Sequence, residues 1–182
     1  MNTKSSAPIL VVATTNRPNS LTQVVASHYI KLLLQQGSHA TLLSLVDLPA
    51  DFTQSALYAN QGKNEQFNQL AEQINIAHKF VFIVPQYNGS FPGVFKTFID
   101  GLTEPRRIFA NKKCALVGLS KGFQGAIIAL SHLADICMYL GMIVYPLQPK
   151  LHSIIEPNLA AVGSHLAYLP LLQKQATGFI HF

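Results

Sequence analysis

Short, unbroken apolar runs separated by stretches of helical period constrain this chain more than any other feature. Ile9-Leu10-Val11-Val12-Ala13, Phe80-Val81-Phe82-Ile83-Val84 and Cys114 to Leu119 contain no charged residue. A strand with one solvated face alternates apolar and polar side chains. A strand buried on both faces does not, and a parallel sheet covered by helices on both sides buries its strands in that way. Between the runs, apolar residues recur at helical spacing. Ser20 to Gln36 carries Leu21, Val24, Val25, Tyr29, Leu32 and Leu33, and Gly37 ends it. Glu65 to His78 aligns Phe67, Leu70, Ile74 and Ala77, and Pro92 to Leu102 aligns Phe95, Phe98, Ile99 and Leu102. Gly125 to Leu140 is a further helix, closed by Gly141. Thr41 to Leu48 and Ile143 to Pro146 read as the second and fifth strands, and Pro49 to Lys63 has no clear period. Leu159 to Gln175 reads as a closing helix with an interruption at Pro170. The alternation predicts an α/β fold: a doubly wound, five-stranded parallel sheet with helices on both faces.

The 182 residues suit one domain spanning 1–182, and an apolar content of 49% is enough to fill its core. The excess of 13 Lys+Arg over 8 Asp+Glu suits an anionic small ligand. The basic residues do not run together beyond Arg106-Arg107 and Lys112-Lys113, which argues against nucleic acid as a partner. Cys114 and Cys137 each lie in an apolar run and read as core residues, which suits a reducing compartment. The run Ile9 to Ala13 is too short for a signal peptide, and Gly122–Ala134 and Ile136–Pro149 are too short to span a bilayer. The expectation is a cytoplasmic protein with no membrane partner.

In open parallel sheets, ligands sit beyond the carboxyl ends of the strands. Three loops therefore carry the chemistry. The first, Thr14-Thr15-Asn16-Arg17-Pro18-Asn19-Ser20, offers hydroxyls, a guanidinium and a helix N-terminus, the donors a phosphate requires. Ser20-Leu21-Thr22-Gln23 also reads as a capping box, with Gln23 reaching back to the cap. Neither GxxxxGK[ST] nor GxGxxG is present. The second loop, Pro85 to Pro92, contains Asn88-Gly89, a tight-turn signal, and would let a flat ring lie against backbone amides. The third, Ser120 to Gly125, has two glycines that permit close backbone approach. Seven scattered histidines make neither HxxxH nor HExxH, so no metal site is expected. Thr14-Thr15 stands where a response regulator would place paired acids. Lys96 and Asp100 are spaced as a helix-surface pair. Arg106, Arg107, Lys112 and Lys113 read as a solvated loop, with the extra phosphate of NADPH as the competing role.

Pro85-Gln86-Tyr87-Asn88-Gly89-Ser90-Phe91-Pro92-Gly93, continuing to Lys96 and Asp100, resembles the NAD(P)H-dependent FMN reductase family, which reads P-E-Y-N-G-S-x-P-G-x-x-K-x-x-x-D there. Thr15 to Ser20 is similar to that family's S-x-R-x-x-S, and Ser120 to Gly125 to its S-x-G-x-x-G. The resemblance implies a flavodoxin-like sheet of strand order 2-1-3-4-5. It implies FMN as cofactor, with NADPH or NADH as electron donor. Thr15, Arg17 and Ser20 would hold the phosphate. Pro85, Gln86, Tyr87, Asn88 and Gly89 would line the isoalloxazine, and Ser120 and Gly122 would sit near its other edge. Gln86 stands where the family has Glu, and Thr15 where it has Ser. The flavin carries the chemistry, so no side-chain acid or base is demanded. Small acceptors are expected: free flavin, quinones, azo compounds or metal oxyanions. The resemblance also implies a homodimer or homotetramer, with Pro49 to Lys63, including Phe52, Leu57 and Tyr58, at the contact. An electron-carrying flavodoxin and a cofactor-free regulatory protein of the same fold are the alternatives.

Overall fold

The computed structural model describes residues 8–153 and 168–182. β1 (Ile9–Ala13), β2 (Ala40–Ser44), β3 (Lys79–Pro85) and β4 (Lys113–Leu119) are parallel, and two short strands, β5 (Ile143–Val144) and β6 (Lys150–Leu151), pair with β4. The order is β2-β1-β3-β4-β5, as expected for a flavodoxin-like sheet. The helices are α1 (Leu21–Gln35), α2 (Phe52–Ser55), α3 (Glu65–Ile76), α4 (Gly93–Gly101), α5 (Pro105–Phe109), α6 (Ile127–Tyr139) and α7 (Leu169–His181). Among the described residues no helix is long and apolar enough to cross a membrane.

The unbroken strand runs feed two separate cores, because successive side chains point to opposite faces. Leu10, Val12, Phe80, Phe82, Cys114 and Leu116 face α3 to α6, where Phe67, Phe95, Phe98 and Phe109 complete a phenylalanine-rich layer. Phe82 and Phe95 lie 5.3 Å apart between centroids, and Phe67 and Phe98 5.4 Å. Val11, Val81, Ile83, Ala115 and Val117 face the other way, onto Tyr29 and Leu33 of α1 and Phe179 of α7. Cys114 and Cys137 are both free and buried in the first core, as their apolar surroundings predict.

Several expectations need correction. The second strand stops at Ser44, whose hydroxyl accepts the Val46 N–H and turns Leu45–Asp47 into one 3-10 turn. Pro49 to Lys63 is not structureless: α2 and a 3-10 turn at Tyr58–Asn60 occupy it. Phe52 and Leu57 are buried against α3 and α4, which leaves Tyr58 as the exposed aromatic of the three. The fifth strand is broken. The Tyr145 N–H donates to Cys114 O at 2.7 Å, and pairing resumes only where Gly118 N–H meets Pro149 O at 2.8 Å. Pro146 and Pro149, which offer no amide proton, flank the break. Across it the Gln175 side-chain amide of α7 donates to Leu116 O at 3.0 Å and to Leu147 O at 2.7 Å. The closing helix starts at Leu169 and runs to His181; Pro170 lies in its first turn, where no amide is missed, and is no interruption. The expected stretch 159–167 lies outside the described residues.

Candidate functional site

The three chemistry-bearing loops converge at the carboxyl ends of β1, β3 and β4. Thr14 fixes the first loop: its N–H and its Oγ1 both donate to Ile83 O, at 3.2 and 2.9 Å. Ser20 is the N-cap of α1 and accepts the Gln23 N–H at 3.4 Å. The box is only half formed, because the Gln23 amide turns away and donates to Ser44 Oγ at 3.2 Å. The first turn of α1 contains no acidic residue, so its positive end is not neutralised from within.

The second loop extends the sheet by one rung, from Gln86 N–H to Leu119 O at 2.9 Å. Tyr87 and Ser90 then exchange backbone hydrogen bonds of 2.8 and 3.0 Å across Asn88 (φ 49°) and Gly89 (φ 81°). Positive φ at both central positions is the geometry that selects Asn-Gly. Ser90 Oγ lies 3.0 Å from His132 Nδ1 on α6, which ties this turn to the helix beside it. In the third loop, Ser120 Oγ donates to Gly122 O at 2.7 Å, and the Ser153 N–H donates to the same carbonyl at 3.3 Å.

A cavity of about 400 Å³ opens between these loops. Arg17 and Ser20 line it from the first, Pro85, Gln86 and Tyr87 from the second, and Ser120 and Gly122 from the third. Three expected residues do not line it. Thr15 is fully buried beneath it, with Oγ1 2.8 Å from the Tyr87 hydroxyl, and Asn88 and Gly89 form the turn at its side. Leu21, Thr22, Leu119 and Lys121 also line the wall and were not anticipated. Lys121 was visible as the cation inside the third loop. The other three follow only from where the elements end. The lining holds two cations, Arg17 and Lys121, and no acid. Gln86 Oε1 is buried there without a hydrogen-bond partner.

A family model described as NADPH-dependent FMN reductase matches residues 7–153. The chain belongs to that family. The FMN reductase match takes in all six strands and every residue named in the cavity wall. A quinone reductase from Escherichia coli K12 is 31% identical over 132 residues, covering 70% of this chain and 68% of that one. A 2-hydroxy-1,4-benzoquinone reductase from Burkholderia is 35% identical over 83 residues, and the match spans 45% of its length, less than half of that relative. The flavoenzyme NAD(P)H:(acceptor) oxidoreductase FerB from Paracoccus denitrificans shares the fold, with a TM-score of 0.72 at 24% identity over 96% of each chain.

The paired basic residues lie elsewhere. Lys113 opens β4, at the end of the sheet opposite the cavity, and its ammonium donates to Phe182 O. Lys112 donates to the Ile74 and Asn75 carbonyls at 3.0 and 2.7 Å and so caps α3. Arg107 pairs with Glu104 at 3.2 Å, and Arg106 stands 4.8 Å over the Tyr139 ring. These groups serve helix ends and the surface rather than the loop cluster. Lys96 and Asp100 form the expected exposed pair, at 2.5 Å.

Proposed function

We propose that this chain is an NAD(P)H-dependent flavin oxidoreductase that binds FMN in the three-loop cavity and passes electrons to small acceptors. The carrying observation is the donor set at the carboxyl edge of the sheet. A capped but uncompensated helix N-terminus, Arg17 and Lys121 meet in one cavity whose wall contains no acid. That wall suits a phosphate. Buried Gln86 Oε1, an acceptor without a donor, suits a ring N–H, and a carboxylate at this position would accept equally. FMN would supply the redox chemistry, taking a hydride from NAD(P)H and delivering two electrons to the acceptor. The protein's own part is to bind and orient: Arg17 and Ser20 on the phosphate, Pro85 and Gln86 along the ring with the Asn88-Gly89 turn beside it, Ser120 and Gly122 at its other edge. The names of the relatives support quinones as the acceptor class, with free flavin, azo compounds and metal oxyanions as further candidates. Assembly into a homodimer or homotetramer belongs to the same proposal; sedimentation of the FMN-loaded chain as a monomer at micromolar concentration overturns that part.

The test is a flavin titration followed by anaerobic NADPH. The chain should bind FMN and lose its visible absorbance on reduction. A protein that gains no absorbance with FMN overturns the reading. Arg17→Ala removes a charge-assisted hydrogen bond and should weaken FMN binding roughly ten- to a hundredfold, with riboflavin affinity unchanged. Equal FMN-to-riboflavin ratios in wild type and variant would show that Arg17 does not read the phosphate.

A further inference from the structure

The contact between Thr15 and Tyr87 changes which hydroxyl meets the anion, and this inference rests on the FMN reading above. Thr15 is 0% exposed and is absent from the cavity wall. Its Oγ1 accepts the Arg17 backbone N–H at 3.2 Å and lies 2.8 Å from the Tyr87 hydroxyl oxygen. Tyr87 lines the cavity beside Arg17 and Ser20 and is 37% exposed.

Counting protons sets the direction of this bond. The two hydroxyls own two O–H protons, and one is consumed between them. If Tyr87 donated, Thr15 would accept twice and keep a proton with no acceptor in a solvent-free position, which costs the full desolvation of that group. If Thr15 donates, each of its hydrogen-bonding roles is filled and the proton left over is that of Tyr87, which opens on the cavity. The chain then runs one way: Arg17 N–H to Thr15 Oγ1, Thr15 O–H to the Tyr87 oxygen, Tyr87 O–H outward. Hydrogen bonds aligned in series polarise one another, so the terminal phenol becomes a stronger donor.

We infer that Tyr87, rather than Thr15, presents its O–H to the FMN phosphate, and that Thr15 is a positioning residue that orients it. Tyr87 thereby moves from the ring wall, where the sequence resemblance put it, to the phosphate cradle. The same bond joins the first loop to the second across 72 residues of sequence, so phosphate occupancy and the placement of the Asn88-Gly89 turn share one contact.

Dissociation constants for FMN and riboflavin test this in wild type, Tyr87→Phe, Thr15→Val, the double variant and Thr15→Ser. Tyr87→Phe keeps the ring and deletes only the O–H. It should weaken FMN about ten- to a hundredfold and leave riboflavin unchanged. Thr15→Val should lower the FMN-to-riboflavin preference by no more than Tyr87→Phe does, and should add nothing in the Tyr87→Phe background. Thr15→Ser, which restores the hydroxyl, should keep the wild-type preference. Equal weakening of both flavins by Tyr87→Phe, or no weakening of either, overturns the inference. So does a Thr15→Val loss that persists undiminished in the double variant, since Thr15 would then touch the phosphate itself. Wild type that fails to distinguish FMN from riboflavin would instead count against the cofactor reading as a whole.

Discussion

His28 shows how a single side chain couples packing to pH. Its Nε2 is buried in α1 without a hydrogen-bond partner. Burial, and next the Lys31 charge, hold the imidazole below its ordinary value of 6.5. The unfolded chain therefore binds this proton at a higher pH than the folded one does. Stability from this group is whole above about pH 6.5, declines as pH falls through the window between the unfolded and the lowered folded value, and falls no further below it. The urea midpoint of the wild type should thus drop more between about pH 7 and pH 5 than that of His28→Leu. Parallel pH profiles for the two would show that His28 is not protonated against a folding cost. Nothing in residue spacing marks His28 apart from the other histidines, since the cause is which flank of α1 turns inward. The Thr15–Tyr87 contact was hidden for the same reason: each residue was visible as a site candidate, and their meeting is a property of the folded sheet.

At the scale of elements, α7 does more than cover one face. Gln175 supplies from a helix the hydrogen bonds that the broken fifth strand does not make with Leu116. Gln175→Leu should cost about 1–3 kcal/mol for each carbonyl left buried and unpartnered, partly offset because the variant also removes the unpartnered Gln175 Oε1. Equilibrium unfolding in urea measures this, and a variant as stable as wild type would mean that water replaces the amide at both carbonyls. The long elements were legible because their signals were long. Four strands and the helices α1, α3, α4 and α6 fall within a few residues of where periodicity places them. The missed elements are short. α5 buries one large side chain, Phe109, and five residues hold too few turns to show a period. β6 has two residues, and the split between β5 and β6 depends on a glutamine some thirty residues downstream. Pro170 misled because a proline within a helical pattern and one in a first turn look alike until the helix start is known.

For the whole molecule, the legible part of the site was its address. Strand ends named the three loops, and the loops do converge on one cavity. What the chain order could not supply was the pairing among them: which side chain lies beneath another, and that Asn88 and Gly89 shape a turn instead of a wall. The divided edge of the sheet has a further consequence, in the timing of proton exchange with solvent. Ile143 and Tyr145 are held on Lys112 and Cys114, whereas Gly118, Ser120 and Ser153 belong to hydrogen bonds that run beside the third loop of the cavity. With Gln175 standing between the two sets, they should open to solvent as separate local units. In deuterated water, FMN should slow the amides of Gly118, Ser120 and Ser153 and leave Ile143 and Tyr145 at their own pace. Uniform slowing of all five would mean the edge opens as one piece. On the first outcome, the broken strand is a clasp that the cofactor can tighten without stiffening the rest of the sheet.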